Sequence, residues 1–177
     1  LEHLLVSGEL DVALIVVSQL QNHRALETET ILQSGWRVWC PVNHKLAGEE
    51  KIEAIDLVRQ SLVLLQVDEL GDVATAQWNT AGGDPNVLIR TSSVEAVRSL
   101  VATGAGCSVL PDMLYRPWSL EGDRIEARPL ARPLPPLHVG LAWRKGAVRP
   151  EPLSHFLTAV RPTLEGTVAG HGIQGVR

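Results

Sequence analysis

Long apolar runs, clustered positive charge and cysteine are all in short supply in this 177-residue chain. The longest apolar run covers 12–17, strand-sized and far short of the roughly 18 to 20 residues a membrane helix needs, so no such span is expected. The formal net charge is −4, and basic runs stop at pairs such as Arg144-Lys145. A nucleic-acid-binding surface carries a concentrated positive footprint, so this chain by itself is not expected to grip DNA. The cysteines are Cys40 and Cys107, each inside an apolar stretch. They read as buried free thiols, with a disulfide or a nucleophile as the open alternatives.

Catalytic and metal signatures are missing as well. The six histidines (His3, His23, His44, His138, His155, His171) are scattered, and none pairs with another or with a cysteine at metal-ligand spacing. No Gly-x-Ser-x-Gly turn occurs, which argues against serine hydrolase chemistry. Gly104-Ala105-Gly106 follows a predicted helix and precedes a strand, the reverse of a dinucleotide loop, so it reads as a helix cap and tight turn. Glu49-Glu50 and Asp68-Glu69 read as solvated surface. No cofactor, metal or catalytic residue is expected, and the chain reads as a non-enzyme. It shows no secretory signal, and it begins at Leu1 in what reads as the last turns of a helix, so an upstream segment is expected.

What is present is ordinary globular composition, with 45% apolar and 20% charged residues, enough for one domain or two small lobes. Leu1, Leu4 and Leu5 read as a helix end closed by Gly8. A strand is predicted over 10–17, a polar loop over 19–29, and a second strand within 31–41. In that second strand Trp36, Val38 and Cys40 alternate against Arg37 and Trp39. A turn over 43–50 and a short helix within 52–58 follow. The centre then reads strand (62–67), helix (68–81, stopped by Gly82-Gly83), strand (87–90), helix (92–103), strand (107–110). That order produces a parallel sheet with helical crossovers. Strands are predicted over 124–130 and 137–144 around a proline-rich link, and a last helix over 151–160 with a stripe of Leu153, Phe156, Leu157 and Val160. Trp36, Trp39 and Trp143 fall in strands and read as packing residues. Trp78 falls on a helix and Trp118 in a turn.

The start of the 92–103 helix is the most informative site. Ser92 with Glu95 has capping-box spacing, which satisfies backbone N–H groups reciprocally. Free N–H groups and the helix dipole there also attract an anion, so a plain cap and a ligand site both fit. Ligands of open parallel sheets sit at the carboxyl ends of strands. Gln66, Thr91 and Leu110 are expected at such ends.

Several segments resemble the effector domains of LysR-type transcriptional regulators. Gly8-Glu9-Leu10-Asp11-Val12-Ala13 resembles their GxLDxA strand. Pro41-Val42-Asn43-His44-Lys45-Leu46-Ala47 resembles their P-x-x-H-P-L-A turn, with Lys45 in place of the second proline. Thr91 to Val97, with Gly104-Ala105-Gly106-Cys107-Ser108-Val109-Leu110-Pro111, resembles their sensor helix ending in G-x-G-x-x-x-L-P. The resemblance implies an α/β, two-lobed, periplasmic-binding-protein-like (type II) fold of mostly parallel sheets flanked by helices. It implies one lobe from 1–36 and 140–165, lacking its first strand, a second lobe from 37–139, and a flexible tail at 166–177. It implies a small effector, commonly an organic anion, held in the cleft near Ser18, Gln66, Thr91, Ser92, Ser93, Leu110 and Pro111. Ser92 and Ser93 would offer hydroxyl and backbone donors, Ser18 would contribute from the other lobe, and Leu110-Pro111 would form an apolar wall. Full-length members carry an N-terminal winged helix-turn-helix that contacts DNA, form dimers or tetramers, act in the cytoplasm without membrane attachment, and engage RNA polymerase. A periplasmic solute-binding protein of a transport system is the alternative on the same fold.

Overall fold

The computed structural model describes residues 1–67, 85–146, 154–156 and 158–159. The helix expected over 68–81, its Gly82-Gly83 stop, Trp78, most of the helix expected over 151–160 and the tail at 166–177 lie outside the described residues. The chain divides into two compact units, Leu1–Ser34 with Pro136–Arg177, and Gly35–Pro135.

In the first unit, α1 (Glu2–Ser7) leads to β1 (Ala13–Val16). β2 (Leu26–Ser34) and β8 (Leu137–Arg144) complete a three-stranded sheet in the order β1-β8-β2. Both pairings of β8 are antiparallel. The central position of β8 follows from its composition, since both of its faces are buried. Ala142 packs with Leu5, Ala13, Val17, Leu20 and Leu26, while Leu141 and Trp143, one residue to either side, pack with Ile31. β2 begins inside the stretch that reads as polar loop. Its Glu27 is accommodated because the carboxylate accepts a 2.9 Å hydrogen bond from the Trp143 indole N–H. Gly140, paired to Ile15 on one side and Thr30 on the other, sits where β2 shifts register. A Cβ at this position would overlap the Glu29 carbonyl oxygen.

The second unit starts with β3 (Trp36–Pro41), so the single strand expected within 31–41 is two strands parted at Gly35. α2 (Ala54–Val58), β4 (Ser61–Leu65), β5 (Asn86–Thr91), α3 (Val94–Ala102), β6 (Ser108–Pro111) and β7 (Ile125–Pro129) follow. β4 and β5 pair in parallel, and Leu62 of β4 makes a parallel bridge to Cys107 at the entry to β6. β3 lies between β6 and β7 and runs antiparallel to both. The parallel arrangement expected from the alternating strand-helix pattern is therefore present at β4, β5 and the entry to β6. The other named strands pair antiparallel, with one further parallel bridge between Ile52 and Leu130. The cause in the first unit is chain direction: the chain leaves along β2 and returns along β8 in the opposite sense. In the second unit β3 enters against the direction of the strands that follow it. Trp39, expected on the face opposite Val38 and Cys40, is as buried as they are, because Val97 and Val101 of α3 pack against it.

Replacing Gly140 with alanine should force β2 and β8 apart. We expect a loss of about 1–3 kcal/mol, the range typical of overpacking, measured as a lowered urea midpoint with unchanged slope.

Candidate functional site

The carboxyl ends of β4, β5 and β6 lie along one edge of the second unit. Cys107 is tied to β4 by two backbone bonds, Val63 N–H to the Cys107 carbonyl at 2.8 Å and Cys107 N–H to the Ser61 carbonyl at 2.9 Å. On the other side of β4, the Gln66 N–H donates to the Thr91 carbonyl at 2.7 Å. α3 carries the chain from β5 back past β4 to β6, so the direction of travel across the sheet reverses here. Reversal points of this kind open a crevice outside the strand ends. Glycine at 106 makes the approach possible, because a Cβ there would overlap the Ser61 carbonyl oxygen.

Thr91, Ser92 and Ser93 form the turn between β5 and α3. Thr91 Oγ1 accepts the Ser93 N–H at 3.2 Å. Ser93 has extended backbone angles (φ −103, ψ 118), and its Oγ accepts the Ala96 N–H at 3.2 Å. The cap is thus Ser93, and the capping box expected between Ser92 and Glu95 does not form. Glu95 instead pairs with Arg98 along the helix. This leaves Ser92 exposed at the turn. The Ser93 hydroxyl uses a lone pair in capping and keeps its proton as a donor.

α3 is fixed from below. Val97 and Val101 are fully buried with Trp39, Val63, Leu65 and Leu110. Arg98 is only 3% exposed. Its guanidinium lies 5.3 Å from the centre of the Trp39 ring, and one nitrogen donates to the Leu114 carbonyl at 2.8 Å. Tyr115 meets Trp39 edge-on at 5.8 Å. Sequence reasoning missed this cluster. The signal was there: Arg98 interrupts the stripe 94, 97, 98, 101 and has a carboxylate three residues before it.

The expected site residues of the second unit are thus gathered at one edge, with different roles. Gln66 and Ser92 are exposed, Thr91 is half-buried, and Ser93 caps the helix. Leu110, at 2% exposure, belongs to the core under α3, and Pro111 is buried at the end of β6. Asp112, the next residue, is held by Arg37 at 2.7 Å. Burial pushes its carboxyl above the usual range, against the opposing pull of Arg37. Ser18 belongs to the first unit. It is exposed, and its Oγ accepts the His138 N–H at 3.1 Å.

Cys40 and Cys107 are free and buried, as read from their apolar surroundings. The Cys107 sulfur lies 3.9 Å from His44 Nδ1, and that nitrogen also accepts the Leu46 N–H at 3.2 Å. Burial, with Lys45 adding to it, holds the imidazole below its ordinary pKa. Burial also drives the Cys107 thiol up to about 12, so no thiolate–imidazolium pair forms at neutral pH. Among the described residues no group of His, Cys, Asp and Glu is arranged to hold a metal ion. Of the tryptophans, Trp36, Trp39 and Trp143 are buried, and Trp118 is 56% exposed with Arg124 alongside its ring.

A family model described as LysR substrate binding domain matches residues 1–165. The chain belongs to this family. Over 125 residues the LysR-family domain is 28% identical to the DNA-binding transcriptional dual regulator OxyR of Escherichia coli (strain K12), covering 70% of this chain and 41% of that protein. Its structure matches HinK, a LysR family transcriptional regulator from Pseudomonas aeruginosa, with a TM-score of 0.82 at 25% identity over 94% of this chain and 57% of that one. The effector binding domain of QuiR in complex with shikimate has the same fold, with a TM-score of 0.73 at 17% identity over 93% of this chain and 77% of that one. The chain spans about half the length of OxyR and HinK. The LysR-family domain has the type II periplasmic-binding-protein-like α/β fold, and its family is that of regulators' effector-binding domains rather than of transport proteins.

Ser93→Ala should cost the domain about 1 kcal/mol in thermal or urea unfolding through loss of the cap. Ser92→Ala should stay within about 0.5 kcal/mol of the parent, as an exposed substitution that breaks no structural bond. A second expectation concerns pH. Burial raises Cys40 from 9.0 to about 11 and Cys107 from 9.0 to about 12. Folded thiols then keep protons that unfolded thiols release, so the stability they contribute is complete below pH 9 and is lost as the pH climbs through 11 to 12. Melting temperature should fall more steeply above pH 9 in the parent than in a Cys40→Ala/Cys107→Ala variant, whatever the offset between the two.

Proposed function

We propose that this LysR-family domain binds a small organic anion at the carboxyl edge of β4, β5 and β6 and reports its presence to a DNA-binding segment of a longer regulator. The observation that carries the reading is the turn 91–93. A helix amino terminus, whose N–H groups and dipole favour negative charge, opens beside the exposed Ser92 hydroxyl and the spare proton of Ser93. Glu95 would oppose an anion, but it is engaged by Arg98. Gln66 supplies an exposed amide at the end of the neighbouring strand. The shikimate bound by QuiR carries a carboxylate, which agrees with this chemistry.

In this reading Ser92, Ser93, Thr91 and Gln66 offer polar contacts, while Pro111 and Leu110 set the apolar backing. The domain acts as a regulator and not an enzyme, in keeping with the regulators to which it is similar. Its whole protein works as a homodimer or homotetramer in the cytoplasm, contacts DNA through an N-terminal helix-turn-helix, and communicates with RNA polymerase. No described helix is long and apolar enough to cross a membrane.

The test is a thermal-shift screen of the full-length regulator against small carboxylates and organic phosphates. At a hundredfold excess over Kd, binding stabilises by about 2.7 kcal/mol. For a domain of this size that is a rise of about 5–10 °C. The rise should shrink in Ser92→Ala and in Gln66→Ala, whose own melting temperatures stay near the parent's. Absence of any shift at millimolar anion, or a shift indifferent to both substitutions, removes the proposed site.

A further inference from the structure

Among the described residues, three polar side-chain atoms beneath α3 are buried without a hydrogen-bond partner: Trp39 Nε1, Arg98 Nε and Ser108 Oγ. Their residues are 0%, 3% and 1% exposed. Buried polar groups are almost always hydrogen-bonded, to protein or to ordered water. The three atoms belong to one neighbourhood. Trp39 of β3 and Ser108 of β6 are directly opposed in the antiparallel ladder. Opposed residues leave the sheet on one face, with Cβ atoms about 4.5–5.5 Å apart. That face is the one α3 covers, since Trp39, and Leu110 two residues beyond Ser108, pack with Val97 and Val101. The Arg98 guanidinium lies 5.3 Å from the centre of the Trp39 ring. The atoms do not satisfy one another. Trp39 Nε1–H and Arg98 Nε–H are both donors, and the Ser108 hydroxyl oxygen, the single acceptor of the three, bonds neither.

We propose that one internal water molecule is bound here, between the sheet and α3. It accepts from Trp39 Nε1–H and from Arg98 Nε–H, and it donates to Ser108 Oγ. Buried waters typically make about three hydrogen bonds, to polar groups that are otherwise unsatisfied. Two bonds of about 2.7–3.2 Å meeting at one oxygen span the separation of opposed side chains. The donor set selects water over other small occupants. A cation would face two N–H donors. An anion would suit the donors, but the Arg98 charge is already matched by Glu95, and an unbalanced charge is costly among Val97, Val101 and Leu110. An apolar molecule would leave all three polar atoms unpaired. Water alone combines two lone pairs for the N–H groups with a proton for the hydroxyl oxygen. Bound there, it becomes a further partner of Arg98, beside the Glu95 carboxylate and the Leu114 carbonyl, and it links α3 to both β3 and β6. The inference stands on the packing beneath α3, whether or not the anion reading holds.

A crystal structure of the full-length protein, at a resolution that shows ordered solvent, tests this directly. The expected result is a single well-ordered water within about 3.2 Å of Trp39 Nε1, Arg98 Nε and Ser108 Oγ. In solution, isotope labelling of the tryptophan nitrogens isolates the indole N–H signals, and Trp39→Phe identifies the one from residue 39. That proton should show a cross-peak to water with opposite signs in NOE and ROE spectra, the mark of a bound molecule rather than a diffusing one. The cross-peak should persist in Ser108→Ala, where both N–H donors remain and no hydroxyl is left to relay proton exchange. If the crystal shows the three atoms bonded to protein groups or no water among them, the proposal is overturned. Absence of the cross-peak in the parent, or its loss in a folded Ser108→Ala, overturns it equally. Should neither variant fold, the density in the parent decides.

Discussion

The carboxyl edge depends on β4 being flanked in parallel on both sides. Its left-hand and right-hand partners are far apart in sequence, and both are drawn in by backbone hydrogen bonds that take up the N–H groups of Val63, Gln66 and Cys107. Buried peptide groups demand such partners, so the pairing leaves little freedom in where the strands stop. Their ends then fall side by side, and the chain has to turn at Thr91–Ser93 to start the crossover. Any side chain at Gly106 would push the entry to β6 off β4. The site is thus a consequence of strand pairing first and of its own side chains second.

The helix above this edge owes its position to an expensive group. Arg98 is a charge taken almost wholly out of water, and such burial is offset only where partners surround it. Here they are the Glu95 carboxylate, the Leu114 carbonyl and the face of Trp39. An apolar residue in its place would pack without that cost but would not select a direction. The guanidinium ties α3 to the 3-10 turn Asp112–Leu114 after β6 and to β3, which sets the rotation of the helix and hence the aim of its amino end. Trp39 Nε1 and Arg98 Nε remain without hydrogen-bond partners among the described residues, consistent with a ring and a cation whose contact is face-on rather than through hydrogen bonds.

Much of this was legible in the sequence where one force dominates. Apolar runs gave β4, β6 and β8, and the helical spacing of Val94, Val97 and Val101 gave α3. The strand-end positions of Gln66, Thr91 and Leu110 followed from strand order, Ser92 and Ser93 from the helix start, and Pro111 only from the family resemblance. Legibility failed where a residue's partner is distant in sequence. Glu27 and Glu29 make the start of β2 look like loop, because nothing nearby reveals that Trp143 will take a carboxylate. The choice between Ser92 and Ser93 as cap turned on a single backbone angle, which adjacent identical residues do not reveal. Arg98 drew no reading because its ring partner lies 59 positions away. The sequence pattern marked Leu110 as strand end but not that Val97 and Val101 would cover it.

A ligand can shift a regulator only through a difference in affinity between two arrangements. The edge described here is already ordered: the cap is made, the strands are paired and Arg98 is bonded. Little binding energy is therefore consumed in assembling the turn, which favours affinity but supplies no signal of its own. The difference that drives regulation must come from groups whose surroundings change when the anion arrives. On this edge the exposed Gln66 amide and Ser92 hydroxyl have that freedom, and the buried Leu110 and the capping Ser93 do not. Under the proposed anion site, recognition and response fall to different residues of the same edge, the fixed ones holding the geometry and the free ones reading the ligand.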